Sequence, residues 1–198
     1  MAILAFNRWS TDGITVQDPG LKAYITVKSK VVPRSSGRTA KFRFHKSNVF
    51  IIERLMNRMM SAGHKAKKHK ITSGHMTGKS QTVYSIMEET LDLIEKRTKQ
   101  NPIAVVVKAI ENAAPREEIV TIEYGGAKYP KAVEVSPQRR VDQALKYITQ
   151  NAYQKAFNSK KSMVACLSEE LLGAFQNSAQ SAAIAKKLEL ERQADSSR

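Results

Sequence analysis

The chain has 198 residues, 41% of them hydrophobic, and 33 Lys and Arg against 18 Asp and Glu, which leaves a net charge of +15. That length suits one domain with an appendage and a real core, and no apolar run approaches the roughly 20 residues needed to span a bilayer. A single cysteine, Cys166, excludes an internal disulfide and a Cys-based zinc site, and fits a buried, inert thiol in a reducing compartment.

The start, Met1 to Trp9, meets Arg8 at once and has no cleavage-site pattern, so no signal peptide is read there. Residues 1–45 read as an extended basic N-terminal arm. Pro19-Gly20 and Pro33-Arg34-Ser35-Ser36-Gly37 break any long period, and Ala23 to Val27 form at most a short ordered piece. From Ser47 the pattern turns helical: Val49, Ile52, Met56 and Met59, flanked by Ile51, Leu55 and Met60, trace one apolar stripe that Gly63 closes. His64 to Ser80 reads as a basic loop. A second helix sets Val83, Ile86, Met87, Leu91 and Ile94 inward and Glu88, Glu89, Asp92, Glu95 and Lys96 outward.

Asn101 caps a third helix with Pro102 at its first position, and Pro115 stops it. Its Ile103 to Val107 run is apolar on all sides, which predicts the central helix. Between Glu117 and Ser136 the period changes to two, with Gly125-Gly126 marking a hairpin turn. Such a hairpin is marginal alone, so it either leans on the helices or projects toward a partner; Lys128 and Lys131 favour the second. Ser136-Pro137 opens a fourth helix with Val141, Ala144, Leu145, Ile148 and Ala152 inward and Arg139, Gln143 and Lys146 on another face. A fifth carries Val164, Leu167, Leu171, Ala174 and Phe175. The last, about Ala179 to Ala194, is weakly apolar at Ile184 and Leu188 and is expected to be partly exposed.

The charge is segregated along the chain. Arg54 to Met87 holds no acid, and Tyr124 to Ser168 has eight Lys or Arg against Glu134 and Asp142, whereas Thr82 to Glu123 has eight acids against five bases. Separated basic segments of this kind predict one polyanion-facing surface, with nucleic acid as the counter-surface. A solvated basic face without a partner is the plain alternative, and an anionic membrane is disfavoured because no helix sets cations opposite a Trp, Phe or Leu face.

Other motifs do not reach chemistry. Gly74-His75-Met76-Thr77-Gly78-Lys79-Ser80 has three residues between its glycines where a phosphate-binding loop needs four. His64, His69 and His75 are spaced by five and six, with no carboxylate nearby, and read as solvated or RNA-contacting rather than metal-ligating. The acidic cluster on the second helix has no cleft, and no Ser, Cys or Thr stands in a nucleophile context. The chain is not expected to be an enzyme or to use a cofactor, a metal or a small-molecule substrate.

In order along the chain, Phe6-Asn7-Arg8-Trp9-Ser10-Thr11-Asp12, Ile52-Glu53-Arg54-Leu55-Met56-Asn57-Arg58-Met59-Met60, Asn101-Pro102, Ala109-Ile110-Glu111-Asn112 and Pro115-Arg116-Glu117 carry a resemblance. It continues through Gly125-Gly126-Ala127-Lys128-Tyr129, Val135-Ser136-Pro137-Gln138-Arg139-Arg140-Val141, Leu167-Ser168-Glu169-Glu170-Leu171 and Lys186-Lys187-Leu188-Glu189-Leu190-Glu191-Arg192. The chain resembles the universal small-subunit ribosomal protein "S-seven" family, in its archaeal and eukaryotic form, whose eukaryotic member is called "S-five". Its basic loop around His64 to Lys79 leans toward the archaeal branch. Departures from the bacterial pattern are that longer loop, Tyr147-Ile148 and Ala152-Tyr153 in place of Trp-Ile and Ala-Arg, and Tyr129-Pro130 in place of Val-Pro.

The resemblance implies a mainly α protein: a bundle of about six helices with a protruding two-stranded β-hairpin at about 117–136, within a helical rRNA-binding domain at 46–198 that follows the arm. It implies a structural component of the small ribosomal subunit in the cytoplasm, a primary binder of small-subunit rRNA that nucleates the head, the 3′ major domain. Neighbouring head proteins, exit-site tRNA and mRNA are the further partners. The residues assigned to rRNA are Arg34, Arg38, Arg43, Lys46, Arg58, Lys65, Lys67, Lys68, Lys70, Lys79, Arg139, Arg140 and Lys146; Gly125, Gly126, Lys128 and Lys131 are assigned to the hairpin near the exit site. Two rivals come from other classes: a free DNA-binding helix-turn-helix regulator, and a protein-interaction module whose acidic helix binds a basic partner.

Overall fold

The computed structural model describes residues 3–65, 68–69 and 78–198, with the backbone alone at 64–65 and 68–69. Among them are six α-helices and two antiparallel strand pairs, in the order α1 (Ile51–Met59), β1 (His64–Lys65), β2 (Lys68–His69), α2 (Ser80–Thr98), α3 (Pro102–Ala113), β3 (Glu117–Tyr124), β4 (Ala127–Glu134), α4 (Pro137–Ala156), α5 (Met163–Phe175) and α6 (Ala182–Asp195). The bundle of six helices with a protruding hairpin is therefore observed. At 64–69, where a loop was expected, His64 pairs with His69 and Lys65 with Lys68.

The centre is α3, which touches α2, α4, α5 and α6. Its sequence dictates that place: Ile103, Val105, Val106, Val107, Ala109, Ile110 and Ala113 cover every side and all are buried. Each fully buried Val or Ile contributes about 1.5–3 kcal/mol. The start of α3 follows from Asn101, whose side chain accepts from the Ile103 N–H at 3.0 Å, and from Pro102, whose missing N–H would be an orphan there anyway. Helix α1 is shorter than its apolar stripe: a 3-10 turn at His45–Asn48 precedes it, and Val49 packs from outside the helix.

The segment expected as an arm contributes to the core. Ala5, Phe6, Trp9, Leu21 and Ile25 are buried in the main cluster, and Phe6 packs on Tyr84 with ring centroids 4.8 Å apart. The acidic outer face of α2 explains the docking: Arg8 donates to both carboxylate oxygens of Asp92 at 2.8 Å, and the Trp9 indole N–H donates to Glu95 at 3.0 Å. From Lys28 to Lys46 only Pro33 is buried.

Helix α6 is held by side chains from its neighbours rather than by a broad apolar face. Glu170 of α5, fully buried, accepts from the Ser181 hydroxyl at 2.7 Å and the Ala183 N–H at 2.9 Å, so it caps α6 from outside. Gly173 permits this approach, since a Cβ there would lie 3.2 Å from the Ser181 Cβ. Leu188 stays 53% exposed, in keeping with the weak apolar pattern.

The hairpin turns at Gly125 and Gly126, with φ of 57° and 81°; two consecutive positive values define the type I′ turn that matches strand twist. The two-residue loop makes Tyr124 and Ala127 a hydrogen-bonded pair, so alternate pairs, including Thr121 with Pro130, exchange no hydrogen bond. Pro130 therefore removes nothing from the ladder. The base of the hairpin leans on α6, as the first alternative had it, while residues 120–131 project from the bundle and are exposed.

Candidate nucleic-acid interface

Residues 28–46 form an exposed strip in which cations alternate with apolar side chains. Lys28, Lys30, Arg34, Arg38, Lys41 and Arg43 are exposed beside Val31, Val32, Phe42 and Phe44. The Arg43 guanidinium lies 5.5 Å from the Phe44 ring centroid, and Phe42 packs on His45 at 4.5 Å. Exposed rings among cations suit a single-stranded polyanion, because the cations neutralise phosphates while the rings stack on bases. Lys41, Phe42 and Phe44 are not among the residues that the resemblance assigns to rRNA, although the Lys41-Phe42-Arg43-Phe44 interleaving is visible in the sequence.

The strip is anchored at its middle and at its C-terminal end. Buried Glu53 accepts from the Ser35 N–H at 2.6 Å, with its second oxygen unpartnered among the described residues. At the C-terminal end, Ser47 donates to the Gln138 side-chain oxygen at 2.6 Å, and Lys46 pairs with Asp142. Asp142 also meets Arg54 at 3.1 Å, and Arg54 donates to the Tyr24 carbonyl at 2.8 Å. Burial pulls the Arg54 guanidinium below its ordinary range, with Asp142 opposing. Arg54, Lys46 and Asp142 thus join the strip and α1 to the first turns of α4.

The assigned residues separate on this frame. Arg34, Arg38, Arg43, Arg58 and Lys79 are exposed, with Arg58 on the outer side of α1 and Lys79 just before α2. Lys46 and Lys146 are half-buried. Lys67 and Lys70 lie outside the described residues, as do the side chains of Lys65 and Lys68. Arg139 is exposed and pairs with Glu118 at 2.7 Å; the hydrogen bond from Arg139 to Glu118 raises its pKa. Arg140 points the other way: its side chain is 11% exposed and bound to Asp18 at 2.7 Å. Lys128 and Lys131 are exposed on β4, opposite Glu123 and Val120.

The remaining chemistry is sparse. No group of His, Cys, Asp and Glu among the described residues is arranged to hold a metal ion, and no described helix is long and apolar enough to cross a membrane. Cys166 is buried, and burial pushes its thiol pKa up, which makes it a poor nucleophile.

With this geometry, comparison with known proteins is direct. Residues 21–198 match the family described as ribosomal protein S7p/S5e. The chain is 52% identical over 198 residues to the small ribosomal subunit protein uS7 of Nanoarchaeum equitans (strain Kin4-M), covering 100% of both chains. It is 44% identical over 196 residues to the protein of the same name from Archaeoglobus fulgidus, covering 99% of this chain and 95% of the relative. The uS7 protein of Methanosphaera stadtmanae is likewise 44% identical over 196 residues, with 99% of each covered. All three are archaeal proteins.

Proposed function

The chain belongs to the ribosomal protein S7p/S5e family, a family of structural ribosomal proteins and not of enzymes, and from that premise we propose that it binds small-subunit rRNA as a primary assembly protein of the head. It works in the cytoplasmic ribosome beside other small-subunit proteins. Its hairpin, with Gly125 and Gly126 at the tip and Lys128 and Lys131 on the return strand, lies toward exit-site tRNA and mRNA.

The observation that carries this reading is the anchored strip at 28–46. Six exposed cations lie there with two exposed phenylalanines, and no acidic side chain falls between Pro19 and Ile52. Lys46 and Ser47 tie the strip to α4, and Arg58 and Lys79 extend it along α1 and α2. Neutralisation of phosphates supplies the affinity, and the shape of the folded RNA supplies the selection. Arg139 joins the surface by exchanging Glu118 for phosphate, whereas Arg140 serves as an internal tie.

The test is a salt titration of binding to in vitro transcribed small-subunit rRNA. Replacing Arg34, Arg38 and Arg43 together with Ala should weaken binding and flatten the log–log salt slope by roughly one unit per lost phosphate contact. An unchanged slope removes the strip from the interface. In reconstitution, omission of the protein should block later head proteins from joining the particle.

A further inference from the structure

Between the loop at 31–37 and the facing ends of α1 and α2 lies an open cleft of about 700 Å³. Val31, Val32 and Pro33 form one wall, with Arg34 beside them; Met56, Asn57 and Met60 of α1 and Gln81, Val83 and Tyr84 of α2 form the other. The loop wall is preset, because Ser35 is held by the buried carboxylate of Glu53.

We infer that this cleft receives an unstacked base of the bound RNA. This rests on the rRNA-binding reading above and names one element of the ligand. The volume falls within the roughly 300–1,000 Å³ of sites for small molecules. Half-buried Met60 and Tyr84, whose ring packs on Phe6 on one side, offer polarisable surface to a flat π-system, with buried Met56 behind them. The side-chain amides of Asn57 and Gln81 are exposed at the cleft and have no hydrogen-bond partner among the described residues, so each presents a donor and an acceptor to a base edge.

Charge identifies the rest of the ligand. No acidic residue lines the cleft among the described residues, and Glu53 is the only acid between Asp18 and Glu88 in the chain. Both walls are therefore built from acid-free sequence, and Glu53 is buried and turned onto the loop backbone. Arg34 on the wall, with Arg38 and Arg58 one residue beyond it, is available to hold the flanking phosphates. A nucleotide presents a flat apolar ring with polar edges and an anionic backbone together, and the cleft continues the basic strip.

The experiment pairs affinity with crosslinking in the full-length protein. Asn57→Ala with Gln81→Ala should lower affinity for in vitro transcribed small-subunit rRNA by roughly tenfold. The salt slope and the unfolding midpoint should not move, since no phosphate contact is lost and both residues are exposed. With 4-thiouridine-substituted transcript, photocrosslinks should fall on the peptides containing Met56 to Met60 or Tyr84. Unchanged affinity of the double variant, or crosslinks only elsewhere on the protein, overturns the inference while leaving the strip variants as the separate test of rRNA binding. A protein segment crosslinked into the cleft in assembled subunits overturns it in favour of a peptide ligand. Failure of the unsubstituted protein to bind the transcript overturns both readings.

Discussion

Arg140 and Asp18, 122 positions apart in the chain, meet at 2.7 Å and join the N-terminal segment to the first turn of α4. The Gly20 N–H donates to the other Asp18 oxygen at 2.9 Å, and Arg116 adds attraction at longer range. Burial alone would raise the Asp18 pKa, but these groups together outweigh it and hold the carboxyl below its usual range. A depressed folded-state pKa means stability that is fully present above the unfolded value of about 3.9 and is lost as pH falls through the folded value. Asp18→Asn should therefore cost about 1–2 kcal/mol at pH 6. The difference from the parent should shrink below about pH 4. Urea titrations at pH 6 and pH 3 check this; a gap of the same size at both assigns the effect to packing instead.

Glu170 joins three elements at once, since it also accepts from Lys155 of α4 at 2.7 Å. Glu170→Ala strands the Ser181 hydroxyl and the Ala183 N–H and should destabilise the protein by about 3 kcal/mol. Glu170→Gln retains an acceptor for both and should cost about half as much. Hydrogen exchange at the first amides of α6 should accelerate in the Ala variant before other helices respond. Uniform acceleration across all helices would deny the local capping role.

At the hairpin tip the two glycines are not equivalent to other small residues. Gly126→Ala places a Cβ at φ 81° and should cost about 1 kcal/mol, visible as roughly fivefold faster amide exchange along β3 and β4. Gly125→Asn should be tolerated, because Asn adopts the left-handed region that φ 57° requires. Equal protection in both variants would mean that packing at the base on α6, rather than the turn, sets hairpin stability.

Periodic features were legible from the residues alone. Ile103 to Val107 announced a helix buried on all sides, Asn101-Pro102 its start, and Gly125-Gly126 a tight turn, because each encodes a local geometric demand. Phe6, Trp9, Leu21 and Ile25 carried no period, so their burial was invisible until the acidic face of α2 was in place to receive Arg8 and Trp9. At the candidate interface, charge segregation pointed to residues 54–87 and 124–168 rather than to the 28–46 strip, and it could not separate Arg139 from Arg140. One position along a helix turns a side chain by about 100°. That rotation takes Arg140 to Asp18 and leaves Arg139 at the surface beside Glu118. The cleft between α1 and the 31–37 loop was likewise unreadable, since its walls are distant in sequence and joined through the Glu53 contact with Ser35.

Pro130 sits at mid-length on an outward margin of a ribbon that has no further strand beside it among the described residues. A second ribbon laid along that margin would meet a missing donor where it needs one, so edge-to-edge zippering of copies stalls there. A proline at this register therefore blunts the free edge against self-association of the chain.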